Sequence, residues 1–190
     1  MIRFSFNEKK AAQAAGVILR RHGGSFDYFS LIKLLYRADR TALIETGMPI
    51  TGDRMVAMEH GPVLSQVKNC LNQFQGCGRV WGQFISFRDE LNCVRVLTDE
   101  ETTDSLSDYE VEVLVRVDKE HGNKPKWMGL RKESHDLPEY VELHPGPGQV
   151  EDIRPETILR HAGVSPEEIN RIAAEAAALR RLADDGAILT

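Results

Sequence analysis

The sequence predicts an α+β fold that is predominantly helical, with helices packed around a small antiparallel sheet and a C-terminal helical extension. Apolar residues recur at helical spacing in the long segments 8–22, 28–46 and 165–184. Short stretches of strand-forming residues are too few for a sandwich or a barrel. The 190 residues, of which 42% are hydrophobic, suit one compact domain with a buried core.

Capping and stop residues bound the first two predicted helices. The first helix begins after Asn7, whose side chain can cap it, and ends at the glycine pair 23–24. The second helix begins at Asp27 and ends at Gly47, with Pro49 just beyond it. Both helices therefore carry a start and a stop signal.

The second helix places one carboxylate among apolar side chains. At 100° per residue, Asp39 falls on the apolar line of the helix. Lys33, Arg37 and Arg40 lie on the opposite side, where we expect them to be exposed. The apolar line consists of Tyr28, Leu31, Ile32, Leu35, Ala42 and Leu43. The helix is thus predicted to form part of the core.

A strand, a helix and a hairpin are predicted next. Residues 55–58 are typical of a short strand, and Pro62 is well placed as the first residue of a helix that extends to about Phe74. Residues 81–88 and 92–97 alternate in part and flank a polar turn, which predicts a β-hairpin.

The next segment predicts a surface loop over residues 99–108 and two further helices. Ser107 and Glu110 form a capping box, which favours a helix to about His121. The alternating valines of residues 111–117 also fit a strand, and the cap decides for the helix. Pro125 starts a short helix that extends to residues 134–135.

The proline- and glycine-rich residues 144–148 predict a linker. We therefore divide the chain into a domain of residues 1–143 and a region of residues 144–190, which comprises the linker and a helical extension packed on the domain or on a partner. The extension holds two predicted helices, 155–161 and 165–184, the second with Ser165 as its cap.

Composition excludes several classes of protein. The sequence has no apolar run of about 20 residues and no signal peptide, so a cytoplasmic protein without a membrane partner is expected. Cys70, Cys77 and Cys93 are odd in number and contain no CxxC pair, which argues against a disulfide framework and a metal site. A net charge of −5 makes nucleic-acid binding an unfavourable interpretation.

The charge is divided unevenly along the chain. Residues 1–97 hold 13 Lys and Arg against 8 Asp and Glu, whereas residues 98–190 hold 11 against 21. This distribution suits an anionic partner on one side and a basic partner on the other. Complementation of the two halves within one fold explains it equally well.

Asp39 has a catalytic and a structural interpretation. In the first, Asp39, Asp53 and His60 form the acid–histidine site of a small hydrolase-like enzyme. In the second, Asp39 ties the turn of residues 47–53 to the helix, with His60, Arg54 or turn N–H groups as its partners. We favour the second, because no HExxH, GxSxG, P-loop or GxGxxG pattern accompanies the carboxylate. No enzyme activity and no cofactor are expected.

Motifs in residues 33–63 and 127–135 resemble those of the Panacea-domain family, also called SocA-like antitoxins. Members show a KLLYxADR-like helix, a GxPITGD turn, a GPV corner and a later tryptophan ahead of a Ser-His pair. The matching runs here are residues 33–40, 47–53, 60–63 and 127–135, and the resemblance extends from about residue 7 to 140. The motif residues to which we assign a structural role are Tyr36, Asp39, Gly52, Asp53, His60, Gly61, Pro62, Ser134 and His135.

The resemblance implies the antitoxin of a bacterial or prophage toxin–antitoxin system. Such a protein neutralises its cognate toxin by direct protein–protein binding, and one branch of the family delivers its toxin to a ClpXP-type protease as a proteolytic adaptor. The alternative functions are the hydrolase-like enzyme described above and a transcriptional regulator that binds DNA. A homodimer is compatible with the antitoxin role. The residues we assign to toxin binding, as exposed side chains, are Lys33, Arg37, Arg40, Trp127 and Tyr140. We expect Trp127, Tyr140 and the acidic run 133–142 to form a surface rim for a basic partner, and a core position explains Trp127 equally well.

Overall fold

A computed structural model describes residues 1–74, 78–99 and 102–187. The side chains of Trp127 and of residues 183–187, and all of Cys77, lie outside this description. The helices are α1 (Glu8–Arg21), α2 (Tyr28–Thr46), α3 (Ser65–Leu71), α4 (Trp81–Phe84), α5 (Asp108–His121), α6 (Lys132–His135), α7 (Pro138–Leu143), α8 (Pro155–His161) and α9 (Pro166–Ala187), with a π-helical turn at Lys126–Arg131. The strands are β1 (Ser25–Asp27), β2 (Met55–Met58), β3 (Gly61–Leu64), β4 (Cys93–Arg95) and β5 (Val150–Asp152).

The α+β class dominated by helices is confirmed. One antiparallel sheet has the strand order β3-β2-β5, and a second pairs β1 with β4. Helix α2 lies at the centre of the molecule, where it packs against α1, α5, α8 and β3. Eleven of its 19 residues are buried, so little of this helix faces water.

The helix boundaries follow the capping signals. Asn7 accepts a hydrogen bond from the Lys10 N–H at 2.9 Å, and Asp27 caps α2 through the Ser30 N–H. Gly47 closes α2 with a left-handed conformation, φ 78°. Both halves of the Ser107 capping box are present, and the valine-rich segment is helical.

Pro62 does not start a helix, and that prediction is wrong. It lies in β3 opposite Ala57, and α3 begins only at Ser65. The register, together with the Ser65 N–H bond to the Arg54 carbonyl, turns the backbone groups of Pro62 away from β2. Because β3 is an edge strand, proline costs the sheet no hydrogen bond there.

The predicted hairpin of residues 81–97 is half correct. Its first arm is the short helix α4, and its second arm pairs chiefly with β1; only one bridge, Ile85 to Val96, joins the two arms. The Glu8 carboxylate of α1 accepts the Val80 and Trp81 N–H groups at 2.8 Å, which favours a helical turn at this point.

The region after the linker contributes to the sheet as well as to the helices. Strand β5 pairs with β2, although its Val-Glu-Asp sequence carries no strand signal. Helix α8 contributes Ile158 and Leu159 to the main core. Helix α9 packs over the C-terminus of α2, where a Cβ on Gly47 would lie 2.8 Å from Ile172 Cγ1.

Asp39 joins α2 to the 47–53 turn. Its side chain is 1% exposed, and its two oxygens accept the Thr51 N–H at 3.0 Å and the Thr51 hydroxyl at 2.5 Å. Thr51 Oγ1 in turn accepts the N–H of Asp53, at 3.2 Å. The Asp53 carboxylate accepts the N–H groups of Gln66 and Val67 at the start of α3. One chain of hydrogen bonds, which we call the Asp39 brace, therefore connects α2, the turn and α3.

Both carboxyl groups of this chain have raised pKa values. Burial raises the pKa of Asp39 to about 7, against the hydrogen bonds from Thr51 and with a contribution from the Asp53 charge. Burial likewise raises the pKa of Asp53 to about 6, against its backbone hydrogen bonds. The folded state therefore favours the protonated carboxyl of Asp39 below neutral pH.

Replacing Asp39 by alanine should lower the free energy of unfolding by about 2–4 kcal/mol, because it orphans two buried Thr51 groups and leaves a void. Denaturant titration at pH 5 measures the change. Asp39→Asn, which keeps the shape and an acceptor for the Thr51 N–H, should cost less than about 1 kcal/mol. The control is Asp136→Ala, at an exposed carboxylate, with a change within about 0.5 kcal/mol. Equal effects at both aspartates would contradict the brace.

The stability of Asp39→Asn relative to the native chain should increase with pH. An aspartate titrates near pH 4 when unfolded, so its raised folded pKa lowers the free energy of unfolding as pH rises from about 4 to about 7. Asparagine does not titrate, so the variant does not lose stability in this way. The difference in free energy of unfolding between Asp39→Asn and the native chain should therefore change by about 2 kcal/mol between pH 5 and pH 8. Denaturant titrations of both proteins measure it. A difference independent of pH would disprove the raised pKa.

Candidate functional site

The polar side of α2 is covered by the chain, and the predicted exposure of its cations is wrong. Lys33 is 1% exposed, and the side chains of Arg37 and Arg40 are only 12% and 19% exposed. The covering elements are the π-helical turn and α6, with Glu139 of α7 bonded to α2. Helical periodicity cannot distinguish a face exposed to water from a face buried against polar partners.

Glu139 holds two residues of α2. Its carboxylate is fully buried and accepts the Tyr36 hydroxyl at 2.9 Å and Arg40 Nε at 2.6 Å, with Arg40 Nη2 at 3.2 Å from the second oxygen. Burial and the neighbouring carboxylate raise the pKa of Tyr36 well above its usual value. Arg40 neutralises Glu139, so the pair is a structural tie between α2 and α7.

Glu133 collects the next group of cations. It lies 3.3 Å from Arg37 Nη2, 2.5 Å from Lys124 Nζ and 2.9 Å from His121 Nδ1. Burial and the Arg37 charge lower the pKa of His121. The acidic run 133–142 was predicted as a rim for a basic partner, but Glu133 and Glu139 face α2 instead.

Three side chains hold the hairpin between β2 and β3. Lys33 Nζ donates to the Pro62 carbonyl at 2.8 Å, and the Tyr140 hydroxyl donates to the Met58 carbonyl at 2.9 Å. The His135 imidazole hydrogen-bonds the backbone of His60 and packs on the Tyr140 ring, with centroids 4.6 Å apart. Tyr140 is 5% exposed, so its predicted exposure is wrong as well.

Ser134 completes the support of this corner. Its hydroxyl donates to the Leu130 carbonyl at 2.6 Å, and its Cβ lies against Gly61. Gly61 has φ 94°, and a Cβ there would lie 2.9 Å from Lys33 Nζ and 3.2 Å from His135 Cδ2. The glycine therefore permits both the backbone conformation and the close approach of α2 and α6.

Asp39, Asp53 and His60 do not assemble into one site. Asp39 is closed off from solvent, and Asp53 caps α3. His60 is exposed in the turn at the far end of β2, a strand that spans about 10 Å. Among residues 1–74, 78–99 and 102–187, no group of three or more His, Cys, Asp or Glu residues could hold a metal ion.

Two pockets flank the three-stranded sheet. The larger, of about 350 Å³, lies between the N-terminal segment and residues 152–155. Three arginines and two aspartates line it, and Arg54 lies 3.5 Å from Asp152. The smaller, of about 230 Å³, lies between α2 and the β2–β3 hairpin. We call it the Lys33 pocket. It is lined by Tyr28, Phe29, Ile32, Lys33, Met58, Glu59, His60, Gly61, Val63, Lys68, Gly148 and Gln149.

The acceptors of the buried network were not predicted from the sequence. Glu133 and Glu139 were assigned to the surface, and Thr51 was not singled out as the partner of Asp39. The spacing of Glu139 from Glu133 and Tyr140 carries no signal that these residues face inward. Their partners on α2 lie about a hundred residues earlier, so only the tertiary fold brings them together.

Replacing Gly61 by alanine should lower the free energy of unfolding by about 2 kcal/mol or more, since strain at positive φ adds to the contacts with α2 and α6. Gly148→Ala is the matched control, because φ there is 74° and nothing lies within 4 Å of the added Cβ. It should cost only the strain, about 1 kcal/mol. Thermal and denaturant unfolding measure both. Equal losses would show that the close approach at Gly61 contributes nothing.

Comparison with known proteins identifies the family. The family model described as antitoxin SocA-like, Panacea domain, matches residues 31–139. The matched segment begins in α2 and ends in α7, so it includes the Asp39 brace, the hairpin and the Glu139 tie. Searches of curated proteins and of solved structures found no match. Since the match covers more than half of the 190 residues, the chain belongs to the SocA-like antitoxin family and contains its Panacea domain.

Proposed function

We propose that this protein is an antitoxin that neutralises a cognate toxin by direct protein–protein binding. The observation that carries the proposal is the Panacea-domain match over residues 31–139. The positions of the motif residues support it. Asp39, Asp53 and Ser134 are bonded to the chain itself, which suits a scaffold whose surface does the binding.

Catalysis receives no comparable support. The three residues of the hydrolase-like alternative are divided between a closed brace, a helix cap and an exposed turn. Catalytic groups must lie close enough together to contact the same bound substrate, and these three side chains do not. In the proposed mode of action, the antitoxin therefore binds and covers a surface of the toxin. We propose that this takes place in the bacterial cytoplasm and that the two proteins are encoded by a bacterium or its prophage.

A general requirement bounds the size of the contact. Stable protein–protein interfaces bury about 1,600 Å² in total, and a few buried anchors supply most of their binding energy. A toxin must therefore cover many side chains around any pocket that it uses. Helix α9 offers a further exposed area, with Leu179 50% and Leu182 69% exposed, for the toxin or for a second copy of the chain.

Coexpression with the product of the adjacent gene should restore growth that this product alone arrests, and the two proteins should copurify. Because binding rather than catalysis is proposed, Asp39→Asn should rescue growth as the native chain does. The empty vector is the control. A harmless or unbound neighbouring product would overturn the proposal, and loss of rescue by folded Asp39→Asn would restore the enzyme interpretation.

The same strain distinguishes sequestration from delivery to a protease. An adaptor for a ClpXP-type protease should shorten the half-life of the toxin, and rescue should fail when that protease is deleted. Under sequestration alone, the complex accumulates and rescue persists without the protease. Pulse-chase labelling of the toxin measures its half-life in both strains.

A further inference from the structure

The Lys33 pocket has apolar walls that are not part of the main core. Ile32, Val56 and Val63 form a separate buried cluster, with Tyr28 and Met58 packed against it. Four of these five residues line the pocket, and Phe29 adds a further ring. The cluster therefore forms the apolar wall of a pocket of about 230 Å³ at the edge of the sheet. A volume of this size suits one large apolar side chain.

Cations outnumber acids around these walls. Lys33 lies in the pocket, the half-buried Lys68 lines it from α3, and the Arg88 guanidinium lies 5.0 Å from the centroid of the Tyr28 ring. Glu59 is the acid among the lining residues. Nearby, Lys126 and Asp27 form an ion pair at 2.8 Å, so their charges offset each other. The surroundings of the pocket thus favour an anionic group.

Lys33 is the buried cation at this site. Its Nζ donates to the Pro62 carbonyl at 2.8 Å and lies 5.4 Å from the centroid of the Phe29 ring. Within the described part of the chain, no carboxylate lies within ion-pair distance of this ammonium. Burial, followed by the charges of Arg37 and Arg131, lowers the pKa of Lys33 well below its usual value.

A buried lysine without a carboxylate is costly for the fold. Removing an ammonium group from water costs several kcal/mol unless an opposite charge offsets it, and one carbonyl acceptor uses one of its three donors. The other two cations of α2, Arg37 and Arg40, are less buried, and each lies within ion-pair distance of a glutamate. Lys33 differs from them in that it borders a pocket open to an incoming group.

We infer that the Lys33 pocket is an anchor site for the toxin, which inserts a large apolar side chain and places a neighbouring carboxylate near Lys33 and Lys68. The inference rests on the proposed function and adds the surface and the chemistry of the partner. The apolar side chain would cover the cluster of Ile32 and Val63. The carboxylate would supply the opposite charge that Lys33 lacks, and it would favour the charged form of the amine.

The experiment measures the affinity of the purified chain for the product of the adjacent gene, together with the melting temperature of each variant. Lys33→Met removes the charge and retains the length of the side chain. Its melting temperature should stay within about 4 °C of the native value, because relief from burying the charge offsets the lost bond to Pro62. Affinity should fall at least about tenfold, as for a truncated interface anchor.

A second variant keeps the inference falsifiable if Lys33→Met does not fold. Lys68→Glu changes a half-buried side chain of α3 and should repel the toxin carboxylate, with a loss of affinity of about tenfold that lessens at high salt. Lys119→Met, at an exposed position of α5, is the matched control and should bind as the native chain does.

The results distinguish a failure of the proposed anchor site from a failure of the proposed antitoxin function. If the native chain binds the neighbouring product and both pocket variants bind within about threefold of it, the pocket is overturned and the proposed function stands. If the native chain does not bind, the proposed function fails and the pocket fails with it. If Lys119→Met weakens binding as much as the pocket variants do, the effect is general to surface charge and the anchor is overturned.

Discussion

The burial of α2 is the constraint on which the rest of the structure depends. A helix enclosed on most sides can keep its polar side chains only if each finds a partner inside the protein. Asp39 is held by Thr51, Arg37 by Glu133, and Arg40 by Glu139. Each partner fixes another element against α2: the 47–53 turn, α6 and α7. The polar residues of this helix therefore determine how the surrounding chain is arranged.

This constraint explains what the sequence could and could not predict. A capping side chain bonds backbone N–H groups only a few residues further along the chain, so the sequence alone is enough to predict it. The helix starts predicted at Asn7, Asp27 and Ser107 were therefore correct. The inward direction of Glu139 depends on Arg40, 99 residues away. Local periodicity holds no information about such a pair, and a charged helix face is more often solvated than buried. The error at Lys33, Arg37 and Arg40 follows from that general preference.

The errors in the strands have a related cause. Pro62 has a high preference for the first turn of a helix, but β2 was available to pair with its neighbours and the edge of the sheet tolerates proline. Strand β5 has no preference of its own and is defined by β2 alone. In both places tertiary pairing overrode local sequence, as strand preferences depend strongly on context.

Segments outside the matched residues 31–139 pack over one of the family motifs, the 47–53 turn. The Ser5 carbonyl of the N-terminal segment lies so close to Gly52 that a Cβ there would clash with it, and Ile172 of α9 covers Gly47 in the same way. The 47–53 turn is thereby enclosed on both sides, with Asp39 beneath it. A partner that contacts this region meets residues 1–6 and α9 before the motif. At this turn end of β2, motif residues such as Pro49 and Gly52 border pockets that they share with the N-terminal segment and, in one of them, with α9. At the hairpin end, the apolar cluster and Lys33 border a pocket that neither residues 1–6 nor α9 line. The two ends of β2 therefore differ in which segments surround the motif residues.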